Sequence, residues 1–242
     1  MITYVSPEVA VSSIQSHQRV FIHGSAATPT TLLYALAARK NELKDVEIVA
    51  ITTLGDMPLV SDECKNSFYM NSLFVSQNVR AAVNSEHGGY VPIFLSEIGH
   101  LFRQNILKID VAIVQVSEPD SRTHGDGHIH ISKFHAAIHV DEPLPEVNYG
   151  DKITDIERQI GNHCASLIED RSTLQMGIGA IPDAVLDSLK QHKDLGIHTE
   201  MFSNGILSLL RSGAITNKYK KKHPGKIVSA FVTGTKELYD AI

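Results

Sequence analysis

Apolar residues along this chain recur in two rhythms. Four runs are nearly continuous: 19–23 (RVFIH), 46–53 (VEIVAITT), 110–116 and 227–234 (IVSAFVTG). Runs of that length and composition predict strands covered on both faces. Shorter strand signals stand at 90–95, at 172–177 (STLQMG) and at 196–198 (GIH). Between them the spacing becomes helical. Pro29 opens a run through Leu32, Leu33, Leu36 and Ala37, and Ile153, Ile156, Ile160, Cys164, Leu167 and Ile168 mark one face of another helix. GIGAIPDAVLDSLK turns into a third, with Pro182 and Asp183 in its first turn, where an acid suits the positive end of the helix dipole. GILSLLRSG at 205–213 reads as a helix stopped by Gly213, and Ser6-Pro7-Glu8 as the capped start of a short one. Strands alternating with helices predict an α/β fold with a largely parallel sheet flanked by helices.

The segment 117–150 breaks the rhythm. It mixes turn residues and prolines with His124, His128, His130, His135 and His139. A helix there would present His135 and His139 on one face, and a strand would align His128 with His130. No glutamate stands between the pair as in a zinc-peptidase helix, so no functional metal site is expected. The run KYKKKHPGK at 218–226 reads as a solvated linker, with an anion site as the alternative.

Composition narrows the picture. At 242 residues, 43% of them hydrophobic, the chain suits one large domain, or one domain plus an appendage. A net charge of -5 argues against a nucleic-acid partner. No apolar run approaches the roughly 18 residues that span a bilayer, so no membrane association is expected. Cys64 and Cys164 fit neither a metal nor a disulfide framework. The first residues, MITYVSPEVA, show no targeting segment. A cytoplasmic or mitochondrial-matrix location is the expectation.

Two stretches carry candidate chemistry. Gly177 and Gly179 lie between a strand and a helix, an arrangement that offers backbone N–H groups to a phosphate or oxyanion. The third glycine of a dinucleotide fingerprint is missing, and a tight turn with no ligand is the other reading. The second stretch is LGIHTEMFSNG at 195–205, whose one carboxylate is Glu200. Its neighbours are apolar or small, and it lies near the end of a strand, where ligands gather in open α/β sheets. Partial burial there would raise its pKa and suit it to act as a base or as a nucleophile toward an acyl carbon. An exposed acid at a strand end is the alternative.

HCASLIEDRSTLQMGIGAIPDAVLDSLK, LGIHTEMFSNG, GAITN and VTGTKELYD together resemble the acetyl-CoA hydrolase/transferase family, in its 4-hydroxybutyrate and acetate CoA-transferase branch. FIHGSAATP and EHGGYVPIFLSEIGHLF extend the resemblance from about Val20 to the end of the chain. The resemblance implies that Glu200 attacks an acyl-CoA and carries a glutamyl-CoA thioester. It implies that Gly177, Ile178, Gly179, Ala180 and Ile181 line the CoA site. It implies acyl-CoA and a small carboxylate as partners, CoA as substrate, and no cofactor. Residues 1–242 are then expected to form the N-terminal domain of such a protein, with the start of a linker. Relatives are longer, and the segment near 117–123 looks shortened against them. Low stability and self-association, such as a homo-oligomer, follow as expectations. A hydrolase using the same Glu200, and a non-catalytic CoA-binding or partner polypeptide, are the alternatives.

Overall fold

In a computed structural model the chain divides into two compact units, Met1–Pro145 and Glu146–Ile242. The structure describes residues 3–118, 123–148, 150 and 153–242, so the junction expected near 117–123 lies partly outside the described residues.

The first unit holds five strands: β1 (Arg19–Ile22), β2 (Val46–Ala50), β3 (Phe68–Ser72), β4 (Gly88–Tyr90) and β5 (Val111–Ile113). They pair only in parallel, in the order β4-β3-β2-β1-β5. Its helices are α1 (Pro7–Val11), α2 (Thr30–Ala38), α3 (Arg80–Val83) and α4 (Leu95–Arg103). The continuous apolar runs are explained by two cores, one on each face of the sheet. Ile48 and Ala50 join Val20, Ile22, Leu33 and Leu36 in one, while Val49 joins Leu73 and Ile98 in the other. Burying successive residues of one strand requires this double cover. Ser6 caps α1 as expected, accepting from the Val9 N–H at 3.4 Å.

Three expectations are corrected here. The strand expected at 90–95 ends at Tyr90, ahead of Pro92, and Leu95 already begins α4. β3 was not anticipated, because FYMNS mixes exposed and polar positions with buried ones. The histidine segment forms 3₁₀ turns at Gly125–Gly127 and Ile131–Lys133, so neither the strand nor the helix that would have aligned its histidines exists.

The second unit holds β6 (Thr173–Leu174), β7 (Gly196–Phe202) and β8 (Val228–Val232), parallel and in that order. Its helices are α5 (Asp155–Ala165), α6 (Ala180–Ser188), α7 (Gly205–Ser212) and α8 (Lys236–Asp240). Leu186, Leu189, Leu195, Ile197, Ile206, Leu209 and Leu238 form its core, each fully buried. α5 does not bury the face its spacing predicted: Ile156 and Leu167 are exposed, and Gly161 and Ala165 are buried instead. A side chain at 161 would meet the Ala184 backbone at 2.7 Å, so α5 and α6 touch through small residues. β7 runs four residues past the expected 196–198, because β8 pairs with it as far as Phe202↔Val232.

The basic run is no solvated linker. Lys220 is 5% exposed, and its ammonium donates to the carbonyls of Ile197, at 2.6 Å, and Lys226. Burial holds its pKa below the usual lysine value. Asn217 adds a second anchor: its side-chain oxygen accepts from the Ile197 N–H at 2.9 Å, and its N–H donates to the Leu195 carbonyl at 3.0 Å. Replacing Lys220 by Met keeps the stem and removes two charged hydrogen bonds, so it should cost about 1.5–3 kcal/mol. Lys221→Met, on the exposed side, should stay within about 0.5 kcal/mol. Urea unfolding of both variants tests this, and equal midpoints would show that Lys220 is no anchor.

Candidate active site

Glu200 lies on β7, the middle strand of the second sheet, and is exposed. The partial burial expected of it is absent in this chain. Alternation along the strand sends Ile197 and Thr199 to one face, both buried, and Gly196, His198 and Glu200 to the other. Among the described residues no cation pairs with the Glu200 carboxylate.

The glycine turn leaves the neighbouring strand on the same edge of the sheet. β6 pairs with β7 through Thr173↔Gly196 and Leu174↔Ile197, and then the ladder stops. Thr199 replaces it. Its hydroxyl accepts from the Met176 N–H at 2.9 Å and donates to the Met176 carbonyl at 3.0 Å. Both polar groups of one peptide strand are thus satisfied by a side chain, and the backbone peels off the sheet at Gly177. The structure therefore joins the two sequence-predicted stretches through adjacent residues: Thr199 beside Glu200, and Met176 beside Gly177. Sequence reasoning missed Thr199, a residue type common in strands and without a spacing signal of its own.

Gly179 caps α6 with φ 117°, a conformation that L side chains rarely adopt. Nothing lies within 4 Å of where its Cβ would stand, so the space above the turn is open. Ala180 and Ile181 begin the helix with N–H groups that have no helical carbonyl to reach. Ile178, Gly179 and Ala180 are half-buried, while Gly177 and Ile181 are exposed. The turn therefore presents donors to one anionic atom, with the dipole of α6 behind them.

A second carboxylate of this unit has surroundings opposite to those of Glu200. Asp183, in the first turn of α6, is 6% exposed, and its Oδ1 accepts from the Ser203 hydroxyl at 3.4 Å. Burial raises its pKa, and the Ser203 bond opposes that shift. Asn204, next along the chain, ties β7 to the end of β8. Its side chain donates to the Thr235 hydroxyl at 2.6 Å and accepts from the Thr235 N–H at 2.9 Å.

A parallel α/β unit that carries a free carboxylate on its middle strand, beside an open helix N-terminus, has the parts of an acyl-transfer site. The family model described as the acetyl-CoA hydrolase/transferase N-terminal domain matches residues 3–142, and the chain belongs to this family. The chain is 40% identical to the 4-hydroxybutyrate coenzyme A transferase of Clostridium kluyveri, over 98% of this chain and 63% of that protein. It is also 40% identical to the succinyl-CoA:acetate/propanoyl-CoA:succinate CoA transferase of Fasciola hepatica, over 91% of this chain and 53% of that protein. Among solved structures, RipA from Yersinia pestis has a TM-score of 0.87 at 29% identity, covering 98% of this chain and 65% of RipA. A 4-hydroxybutyrate CoA-transferase from Porphyromonas gingivalis has a TM-score of 0.82 at 33% identity, covering 99% of this chain and 64% of that one. The chain thus spans less than two thirds of the length of these relatives. The family model ends near the boundary of the first unit, and Glu200 and the glycine turn lie in the second.

Two outcomes follow from this geometry. Thr199→Val should leave the Met176 peptide unpaired, costing about 1–3 kcal/mol and speeding hydrogen exchange at 176–181, while Thr199→Ser should restore both. Exchange equally fast in wild type and the Val variant would dismiss the clamp. For Asp183, an acid with a raised folded pKa, the sign is opposite to that of a salt-bridged one. Its burial is tolerated below its unfolded pKa of about 3.9. Stability is then lost as pH rises from there through the folded value. Asp183→Asn should therefore gain on wild type as pH rises through that window, with the gap level above it. Melting curves across acid pH test this, and a pH-independent gap would contradict it.

Proposed function

We propose that this chain carries the catalytic carboxylate of a CoA-transferase that moves CoA between a short-chain acyl-CoA and a small carboxylate such as acetate, through a glutamyl-CoA thioester on Glu200. The observation that carries the reading is the clamp, in a member of this family, between the strand bearing an unpaired Glu200 and the turn whose N–H groups are free. The names of the relatives support the reaction class, and each describes its own substrates.

The chemistry needs no proton. A Glu200 oxygen attacks the acyl carbonyl, the C–S bond breaks, and CoA leaves as thiolate, which leaves a mixed anhydride. The thiolate attacks the glutamyl carbonyl of that anhydride, the acyl carboxylate departs, and glutamyl-CoA remains. A second carboxylate attacks the glutamyl-CoA carbonyl and expels the thiolate. The thiolate then attacks the new acyl carbon, which frees Glu200 and forms the new acyl-CoA. Each tetrahedral intermediate bears an oxyanion, and the N–H groups of Ala180 and Ile181 are assigned to it. One such donor is worth about 2.7–4 kcal/mol in other enzymes. The lack of a cation on Glu200 matters here, because an ion-paired carboxylate is a poorer nucleophile. Its exposure favours a second reading: water resolves glutamyl-CoA, and the chain acts as an acyl-CoA hydrolase.

Intact-protein mass spectrometry after incubation with acetyl-CoA is the test. The expected result is a CoA-sized adduct on the peptide containing Glu200, absent from Glu200→Gln. Labelled acetate then separates transfer, which puts label into acetyl-CoA, from hydrolysis, which does not. An adduct at another residue, or one retained by the Gln variant, overturns the assignment.

A further inference from the structure

The basic run at 218–226 has no place in the chemistry above, yet it is built onto the same strand face as Glu200. Lys220 is the pin. Its stem lies where a side chain of Gly196 would stand, with Cγ 2.5 Å from that Cβ position. Further along, the rings of His223 and His198 approach to 6.1 Å between centroids. Gly196, His198 and Glu200 share one face of β7, so the loop lies on the Glu200 face at the opposite end of the strand. At about 3.3 Å per residue, Gly196 and Glu200 are about 13 Å apart along it.

Around the pin the loop is ordered by its own backbone: the Gly225 N–H donates to the Asn217 carbonyl at 2.9 Å, and the Lys226 N–H to the His223 carbonyl at 3.2 Å. This leaves Lys218, Lys221, Lys222 and Lys226 exposed on one loop whose backbone is held. Arg171 joins them from the start of β6, its guanidinium 4.5 Å from the Tyr219 ring centroid, and Lys193 lies beside Arg171, whose N–H donates to the Lys193 carbonyl at 2.9 Å. Among the described residues none of these six cations makes an ion pair, whereas Lys190, Arg211 and Lys236 of the same unit do. Three acids share that edge with the six cations: Asp170, which accepts from the Lys193 N–H at 2.8 Å, Asp194, which accepts from the Thr216 hydroxyl at 3.0 Å, and the exposed Glu169, so positive charge remains in excess.

We propose that this loop holds the phosphate-bearing end of CoA, with β7 as the ruler between it and Glu200. The inference rests on the reading of Glu200 given above. CoA has its thiol at one end of an extended arm, and a diphosphate and a 3′-phosphate at the other. A protein of net charge -5 repels such a ligand unless a local positive field receives it. Cations beside Glu200 would serve badly, because they would pair with the carboxylate that must attack. Placing them about 13 Å away along β7 attracts the phosphates and leaves the nucleophile unpaired.

The test is calorimetry of the full chain with CoA, 3′-dephospho-CoA and inorganic tripolyphosphate, comparing wild type with Lys221→Glu/Lys222→Glu. Both positions are exposed, and melting curves check that the fold is kept. The double variant should lose tenfold or more in CoA affinity at low salt, with the deficit shrinking as salt rises. Its Glu200 adduct from acetyl-pantetheine, which has no phosphate at the 3′ position or diphosphate, should form as fast as in wild type. Dephospho-CoA should bind wild type more weakly than CoA. Equal CoA affinity in both proteins overturns the proposal and leaves the Glu200 reading standing. Tripolyphosphate binding as tightly as CoA also overturns it, as a general polyanion patch. If wild type neither binds CoA nor forms the adduct, the two fall together.

Discussion

One threonine hydroxyl sets the geometry of the second unit. β6 has two residues in its ladder, too few to fix where the chain goes next. Thr199 takes over by satisfying both the N–H and the C=O of Met176, so the last point of attachment is a side chain and not a strand partner. A backbone ladder would have carried 177–179 onward in the plane of the sheet. A side-chain clamp ends the pairing and lets the glycine turn rise, which a positive φ at Gly179 completes. The start of α6 is therefore located relative to β7 by a bond made one residue from Glu200. Position of donor and position of acid are set by the same contact.

The two carboxylates of this unit show how environment divides roles. Asp183 is buried and held by Ser203, and burial raises its pKa. What ties it into the fold is the Ser203 hydroxyl, which links the first turn of α6 to the end of β7. Glu200 is exposed and unpaired, and so keeps lone pairs available. Acids with opposed surroundings can divide labour. Here Asp183 is bonded between the starts of α6 and α7, and the Glu200 carboxylate, among the described residues, pairs with no cation.

Much of this was legible in the residues. Continuous apolar runs at 19–23 and 46–53 are strands because two cores demand them, and the cap at Ser6 and the stop at Gly213 act as their chemistry predicts. The glycine turn and Glu200 were visible as a pair of unusual stretches. What stayed hidden depended on partners distant in sequence. FYMNS becomes β3 because β2 and β4 flank it, and α5 turns its small residues inward because α6 approaches too closely for larger ones. The basic run misled for the same reason: nothing in KYKKKHPGK says that its third residue is buried against β7, since Lys220 finds its acceptor 23 positions away. Local pattern reports propensity, whereas these features are decided by who is opposite.

Family membership and chemistry rest on different halves of the molecule. The family model covers 3–142, in the first unit, which holds the larger sheet and none of the residues singled out for the reaction. Sequence identity of 40% extends across both halves, so the second unit is related as well. The match to the clostridial protein runs over 270 residues, more than the 242 of this chain, so the relative carries residues inside the match that this chain lacks. Those residues are not needed to build the second unit: its sheet, its core and the Thr199 clamp are formed from partners within Glu146–Ile242 alone. The geometry on which the proposed chemistry depends is thus local to 97 residues, as the unit's bounds give.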